Sequence, residues 1–565
     1  VRDEATIIRG IDRAFEDMKA HKALREDEFQ QIADYFMPRK DFSCANRPGD
    51  LRRRRLTSSV PPVSLRNSAA MLFSYVVDPT NPFINPSVEN SLMAAGYEML
   101  DLSREGSDWL ERLRWGIHGR MMSARSGFAT SSARLSVELW AFGTGVQWVG
   151  HKRGQGPIYQ TRPFQSCWIR TNGDGLVDTV YYQFTAPLYW VLERWPEATK
   201  VEDWQKIASE IDDTKREAAL RQSVTLLHVV EPRMGGERGR VQRQKPFAEY
   251  YVCLDKKAVL EERGYDSFPY AVPRLEPEQG SDYGTGRCWH ALPDAKALSI
   301  LQQAIENGVD LKVAPPTMMP KKLFGGPLDR RPGAANYFDP TRLGFMNLSD
   351  AVKRLELTGD LGVGQAYHQE LIQRVEAAML VDWMRLRDSG NVTAEEIRER
   401  RNLRISVMSA HVPGIDRDWM GVVAERTAEI LLAEGDLGPV PADLRNLDVD
   451  WDYAGPLAQA QRQRQAEGFD RMFARAMQAR ELDPAAPFVL NLAEGLRACA
   501  DAEGLPLGTL RSRAEVQAMV EAEAERAQAA EERQAAMDGA AALRDGAQGV
   551  ASLANMGGAP EAMAA

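Results

Sequence analysis

The chain has 565 residues and a mass of 63.0 kDa, enough for several domains, and its 44% hydrophobic and 27% charged content is that of folded protein rather than disordered chain. Lys and Arg number 70 against 80 Asp and Glu, for a net charge of -10 and a pI near 5.5. That balance argues against a surface built to grip nucleic acid tightly, which would need a basic face; an acidic conduit along which a polyanion slides and a generic acidic protein both fit it.

The first residues read as a helix over 5–37, with Ile8, Ile11, Phe15 and Met18 on one face and Phe29, Ile32, Ala33 and Phe36 following, stopped by Pro38. A polar, Arg-rich loop over 38–62 ends in Pro61-Pro62. Helix is predicted from Ser64 to Val77, a break at Asp78–Pro82, and helix again from Leu92 to Leu139. The pattern changes at Trp140. Ala141–Val149 reads as a glycine-bent strand, and Pro157–Arg170 and Val177–Phe184 alternate apolar and polar residues as strands do. Between them, Asn172-Gly173-Asp174-Gly175 is a hairpin signal. Ala186–Lys215 is predicted helical, and Val224–Glu231, Phe247–Leu254 and Ala271–Leu275 are predicted strands. Residues 140–275 thus form a mainly antiparallel sheet region set against helices.

After the Asp282-Tyr-Gly-Thr-Gly-Arg287 turn comes a rod-like helix. Ala297, Leu301, Ala304 and Gly308 form its stripe, Pro293 and Asp294 sit where it is predicted to start, and Ala314-Pro315-Pro316 ends it. A Pro/Gly-rich stretch over 314–357 reads as a small β-containing subdomain. A second helix carries Leu371, Ile372, Val375, Ala378 and Met379 on one side, then breaks at Arg385–Asn391. Helix is predicted at Thr393–Met408 and Val422–Leu432, closed by Gly435–Pro441. From Leu457 the chain reads as helical, with a stripe at Phe469, Met472, Phe473, Ala476 and Met477 and another at Phe488, Val489, Leu492 and Leu496. Ser512-Arg-Ala-Glu515, a capping box, opens a last Ala/Glu/Arg-rich helix suited to packing against copies of itself. Gly546–Ala565 reads as a disordered tail. The class is α+β, mainly helical.

Few residues point to chemistry. Five cysteines (44, 167, 253, 288 and 499), none in C-x-x-C, give an odd count that speaks against a disulfide framework and fits a reducing compartment. No apolar run is long enough to span a membrane. Charge from Arg2 onward is unlike a secretory signal, and an initial valine fits an alternative start codon or a trimmed end. No Walker A motif occurs. Gly143-Thr-Gly145, Gly284-Thr-Gly286 and Gly362-Val-Gly364 read as tight turns rather than phosphate cradles. The seven histidines lack metal-ligand spacing, and His368 with Glu370 reads as a polar helix face. No G-x-S-x-G elbow is present, and the acidic residues form no acid–base pattern. No catalytic, cofactor or metal residue is therefore expected.

Charge runs are the remaining candidates. Arg52–Arg55 reads as a solvated loop or an intersubunit salt-bridge patch, with phosphate contact as the alternative. Lys321, Lys322, Arg330 and Arg331 stand in the small subdomain and fit either contact with DNA or a docking partner, or plain surface charge. Arg385 and Arg387, in the break after the second rod helix, fit a channel-facing loop or an ordinary one.

Several local sequences resemble the portal (head-to-tail connector) family of tailed phages, of the short-tailed, podovirus type. They are Tyr35-Phe-Met-Pro-Arg39, Trp140-Ala-Phe-Gly-Thr-Gly145, Asp282-Tyr-Gly-Thr-Gly-Arg287, Val392-Thr-Ala-Glu-Glu396, Tyr453-Ala-Gly-Pro-Leu-Ala-Gln-Ala-Gln-Arg462 and Leu510-Arg-Ser-Arg-Ala-Glu-Val516. Their order spans residues 35–516. The third departs from the family's Tyr-Gly-Arg-Gly-Pro turn, with Thr in place of Arg and no Pro following.

The resemblance implies a wing over 1–290, returning at 393–455, and stem helices at 291–312 and 362–383. It implies a clip at 313–361, a tunnel loop at 384–392, a helical crown or barrel at 456–545, and the tail beyond. It further implies a twelve-copy ring at one capsid vertex of the virion, assembled in the host cytoplasm with capsid and scaffold proteins. Such a ring docks terminase, passes double-stranded DNA during packaging and ejection, and later holds a tail adaptor, with ATP hydrolysis left to the terminase. The alternatives are another virion component such as a tail adaptor, or a DNA-packaging enzyme.

Overall fold

A computed structural model describes residues 4–40, 42, 56–79, 82–88, 103–208, 210, 212–233, 244–313, 361–381, 412–445, 447–453 and 456–479, with short pieces at 317–318, 341, 353–354 and between 490 and 540. These residues are mostly helical, with antiparallel sheet. The chain divides into two units, the first comprising Val1–Asn85, Arg114–Gly438 and Trp451–Ala460, the second Pro86–Leu113, Pro439–Asp450 and Gln461–Ala565.

The first unit is organised by a five-stranded antiparallel sheet whose strands follow chain order: Cys167–Thr171, Val177–Pro187, Ser223–Pro232, Phe247–Cys253 and Ala258–Tyr265. Alternation of side chains gives this sheet two apolar faces. Tyr181, Leu227, Val229, Tyr250 and Val252 receive Ile8, Ile11, Phe15 and Met18 of the helix Glu4–Ala23. Leu226, Cys253 and Leu260 point the other way, into a cluster with Leu188, Val191, Trp195 and Trp204. The period-3.6 stripe of the first helix is therefore matched to a period-2 stripe of the sheet, and burial on both sides fixes the strand register.

The expected hairpin at Asn172–Gly175 is present. Asn172 Oδ1 accepts from the backbone N–H of Asp174 (3.0 Å) and of Leu176 (2.9 Å), an Asx turn that brings Thr171 opposite Val177. A three-stranded sheet of Gly156–Thr161, Gln147–Lys152 and Tyr270–Ala271 lies in the same unit.

Several elements differ from the sequence expectation for identifiable reasons. The helix predicted over 5–37 is two, Glu4–Ala23 and Glu26–Phe36, broken where Arg25 leaves helical geometry to reach distant carbonyls. Pro61 and Pro62 lie in the first turn of the helix Val60–Val76, where a missing N–H costs nothing, rather than in the loop before it. The predicted helix over Leu92–Leu139 is, in its described part, Arg104–Met122 and Phe128–Phe142. The second of these runs through Ala141–Phe142, expected as the start of a strand, and stops at Gly143, whose φ of 75° is left-handed.

Pro157–Arg170 is two strands parted by a 3₁₀ turn at Phe164–Ser166, and they join different sheets. Ala186–Lys215 is not one helix. Pro196 interrupts it, and the pieces Leu188–Arg194, Glu202–Ala208 and Asp213–Leu220 fold separately, the last capped by Asp212. The strand Ala258–Tyr265 had no expectation at all; its EERGY half is polar because only Leu260 and Gly264 turn fully inward. The last predicted strand, Ala271–Leu275, is reduced to Tyr270–Ala271.

In the described part of the second unit, Ser103 precedes the helix Arg104–Met122, its Oγ donating to Asp443 (2.6 Å) and accepting from Gly106 N–H (3.0 Å). The helix Pro456–Ala479 stacks Phe469 near Phe473, and Gly495 leaves room for the Phe469 ring. The predicted Thr393–Met408 helix, Phe488 and Val489, the capping box at 512–515 and the 546–565 tail lie outside the described residues, as do Arg52–Arg55.

Candidate functional site

The long helix Arg287–Val313 and the return helix Leu361–Ala378 run antiparallel, with Ile305 beside Gly364 and, nearer the base, Asp294 4.0 Å from Arg374. The long helix begins six residues before its predicted start, so Pro293 is inside it. Pro293 faces solvent while Cys288, Ala291, Leu292, Ala295 and Leu298 are buried; that apolar stripe carries the helix past the bond that proline cannot make. The return helix ends at Ala378 rather than near 383, because Leu380 takes φ 60° and turns the chain. Between the two helices, Thr317–Met318 pairs antiparallel with Lys353–Arg354, the described part of the Pro/Gly-rich insertion.

Among the described residues, the helix pair is anchored at its base. Leu371, Val375 and Met379 are buried with the base of the long helix, and Ser68 Oγ donates to the Met379 carbonyl (2.6 Å). Toward the far end the same two helices expose apolar side chains: Ile300 is 70% accessible, Val313 80% and Val363 69%, with Val309, Leu311 and Tyr367 also open. A shallow groove of about 300 Å³ lies beside the middle of the long helix, lined by Asp34, Tyr35, Leu56, Thr57, Ser58, Ser299, Ile300 and Gln303.

At the base, the two Gly-Thr-Gly tripeptides meet. The Gly143 carbonyl accepts from Leu275 N–H (2.8 Å), the Leu275 carbonyl accepts from Thr285 N–H (2.9 Å), and Thr144 Oγ1 accepts from Gly284 N–H (2.9 Å). A Cβ on Gly284 would stand under 3.0 Å from the carbonyl oxygens of Leu275 and Gly143, and one on Gly286 only 2.5 Å from the Ala141 carbonyl. Backbone touches backbone here because no side chain intervenes. Arg25 closes the contact from outside, donating to the carbonyls of Tyr283 (3.3 Å) and Gly284 (3.4 Å) and to Thr285 Oγ1 (3.2 Å) while paired with Glu28 at 2.9 Å. Thr285 Oγ1 donates in turn to Glu278 (2.7 Å), and Asp282 accepts from Thr171 N–H (2.9 Å) and Oγ1 (2.6 Å).

Tyr283 extends this base into an aromatic cluster with Phe29, Phe42, Phe142 and Phe164. Lys22 lies under it, buried, with its Nζ donating to the carbonyls of Phe164 (2.7 Å), Gln165 (3.1 Å) and Cys167 (2.7 Å). Burial pushes this ammonium down to about 7, against the attraction of Cys167, Glu26 and Glu138. The same burial drives the Cys167 thiol up to about 12, so it is not a nucleophile.

A second buried polar network holds the helix Val422–Glu434. That helix is preceded by a π-helical turn, Asp416–Gly421, which leaves the Asp418 carbonyl free to accept from Val272 N–H (3.1 Å). Within the turn, Trp419 Nε1 donates to Gln147 Oε1 (2.8 Å), and Gln147 Nε2 donates to Ser131 (2.9 Å) and Ser132 (3.2 Å). Half-buried Asp416, whose Oδ1 is buried without a hydrogen-bond partner, is pushed up by that burial to about 7.

All six sequence candidates, Lys321, Lys322, Arg330, Arg331, Arg385 and Arg387, lie outside the described residues. Sequence reasoning flagged the glycine pairs as turns but missed that they face each other, and it missed Arg25, Lys22 and Gln147 altogether. Their roles depend on partners more than a hundred residues away; the repeated Gly-Thr-Gly spelling is the one local signal. Among the described residues no group of three or more His, Cys, Asp or Glu is placed to hold a metal ion, and no helix is long and apolar enough to cross a membrane. Among the described residues, the arrangement is a helix pair anchored at its base, with apolar side chains exposed beyond it.

Two solved assemblies, the neck of an empty gene transfer agent particle and the virion of a native one, align over 78% and 80% of this chain and 90% and 98% of theirs, at 11% identity and a TM-score of 0.33 each. A probable portal protein of Bordetella phage BPP-1 is 22% identical over 451 residues, 78% of either chain. The portal protein of Salmonella phage epsilon15 is 22% identical over 570 aligned positions, 96% of this chain and 97% of its own. The family model described as bacteriophage head to tail connecting protein matches residues 9–510. With nearly the whole chain covered by that match, this protein belongs to the bacteriophage head to tail connecting protein family.

Proposed function

We propose that this chain is a portal protein: copies of it form a ring at one vertex of a phage capsid, through which double-stranded DNA enters during packaging and leaves on ejection. The observation that carries the proposal is the antiparallel helix pair, locked to the sheet body at its base and apolar but uncovered toward its free end. A single copy leaves that apolar surface in water; a neighbour related by rotation covers it. Rotational closure needs two different complementary faces on each copy, and a helix pair with two flanks supplies them. Family membership and the names of the two phage relatives support the same reading.

In this reading the helix pair is the stem, residues 1–290 and 393–455 are the wing, the insertion from 313 to 361 is the clip, 384–392 is the tunnel loop, and 456–545 is the crown or barrel. Lys321, Lys322, Arg330 and Arg331 in the clip and Arg385 and Arg387 in the tunnel loop are the channel or docking cations. Sparse basic groups in an acidic protein hold DNA loosely enough to slide. The chain supplies geometry, while terminase, docked on the ring during assembly in the host cytoplasm, supplies ATP hydrolysis; scaffold and capsid proteins meet the wing, and a tail adaptor follows.

Particle mass and symmetry test the proposal. Twelve copies of 63.0 kDa give a ring of about 0.76 MDa with a central hole. A chain that stays monomeric or dimeric at every concentration, with no ring in images, overturns it.

A further inference from the structure

We propose that Arg25 is a positioning residue that fixes the angle at which the helix pair leaves the sheet body, and that this angle sets how many copies close the ring; the second half rests on the ring reading above. The path from body to helix pair runs through Gly284–Gly286, where the atoms nearest a would-be Cβ are backbone atoms of Ala141, Gly143 and Leu275. Thr144 Oγ1, the Asp282–Thr171 bonds and the packed Tyr283 ring hold single points of this junction, and Arg25 is the side chain that ties three consecutive residues of it to the first helices. Its guanidinium reaches three acceptors on consecutive residues, Tyr283 O, Gly284 O and Thr285 Oγ1, while Glu28 pairs with it and its Cζ lies 5.2 Å from the Phe29 ring centroid.

The chain departs from a continuous helix to achieve this. Arg25 sits at φ -114°, ψ 4°, between two helices, and its neighbour Leu24 is left 85% exposed. A leucine in water at a helix break is unfavourable locally, so the break is maintained by what Arg25 binds. Forked geometry matters: a lysine's single ammonium cannot bridge three acceptors and a carboxylate together.

Ring number follows from angle. Each copy in a twelve-fold ring turns about 30° from the next, and adding or losing one copy changes that by only about 2–3°. A few degrees of play at the base of the helix pair are therefore enough to mix subunit numbers.

The test uses the full-length chain with Arg25→Lys and Arg25→Ala, read by native mass spectrometry and by class averages of ring images, with thermal melting as the readout of folding. The wild type is expected to give one subunit number; the variants are expected to melt cooperatively and give rings spread over two or more adjacent numbers. Variant rings with the single wild-type number overturn the role of Arg25. Should the Arg25 variants fail to fold, Thr285→Val, which removes only the Oγ1 contacts to Arg25 and Glu278, carries the same expectation and the same refutation. A wild-type chain that makes no ring overturns the proposed function and the Arg25 assignment with it.

Discussion

Gly284 lies against Gly143, with the Gly143 carbonyl oxygen under 3.0 Å from where a Gly284 Cβ would be and Thr144 Oγ1 accepting from Gly284 N–H at 2.9 Å. The neighbours are backbone, so a methyl group there cannot be accommodated by a side-chain rotation. Gly284→Ala is expected to destabilise the first unit by about 2–3 kcal/mol, the range of overpacked sites. Gly10→Ala is the contrast: the residue is exposed within the helix Glu4–Ala23 and nothing lies near its Cβ position, so the change is expected to stabilise by about 0.5–1 kcal/mol. Urea midpoints of the two variants, shifted in opposite directions, check both.

Lys22 makes stability depend on pH in a predictable direction. Its ammonium is held at about 7 in the folded chain against 10.5 when unfolded, so between those values the unfolded chain binds the proton that the folded chain has released. The cost of burying the charge is fully present below pH 7 and is relieved as pH rises toward 10.5. Against Lys22→Met, which has no such term, the wild type is expected to gain stability from pH 7 to 9 at up to about 1.4 kcal/mol per pH unit. Parallel denaturation curves of the two proteins across that range measure it; a constant gap refutes it.

Leu301 stands midway along the long helix Arg287–Val313, beyond its buried base. Proline there removes an i to i−4 bond and clashes with the preceding turn, a cost of about 3 kcal/mol or more. Leu301→Pro is expected to leave the sheet region folded, by near-ultraviolet circular dichroism, while ring assembly is lost in sedimentation. Normal rings from this variant would show that the free half of the helix is not needed for assembly.

Val363 is 69% accessible on the return helix. As a surface residue of the single chain, its change to Asp is expected to alter unfolding of isolated subunits by no more than about 0.5 kcal/mol. In a ring the same carboxylate would be buried beside a neighbour. Val363→Asp is therefore expected to shift the ring–subunit equilibrium toward subunits, measured by mass photometry over a dilution series. Unchanged ring stability would place Val363 outside the interface.

The legible parts of the fold are those where a local pattern has one solution. Ile8, Ile11, Phe15 and Met18 announced a buried helix face, Asn172–Gly175 announced a hairpin, and Leu371, Val375 and Met379 announced the buried side of the return helix, whereas the stripe read at Ala297, Leu301, Ala304 and Gly308 is not buried, because the long helix packs through Cys288, Ala291, Leu292, Ala295 and Leu298 nearer its start. The errors fall where a distant partner overrules local preference. Ala141–Phe142 reads as the start of a glycine-bent strand but is drawn into a helix end by the packing of Phe142 in the aromatic cluster around Phe29 and Phe164. The break at Arg25 has no proline or glycine to mark it. Nothing near residue 416 signals a π turn, because its cause is the Val272 N–H that needs the Asp418 carbonyl.

By itself the sequence determined the α+β class, the paired rods around a Pro/Gly-rich insertion and the family, because periodicity and ordered short motifs are properties of neighbours along the chain. Only the tertiary structure decided how the rods are held. The meeting of Gly143 with Gly284, the reach of Arg25 across 258 residues to Tyr283, and the three carbonyls around Lys22 are contacts in space. No local energy favours them; they exist because burial of the aromatic cluster and the sheet faces brings those segments together and leaves their polar groups no other partner.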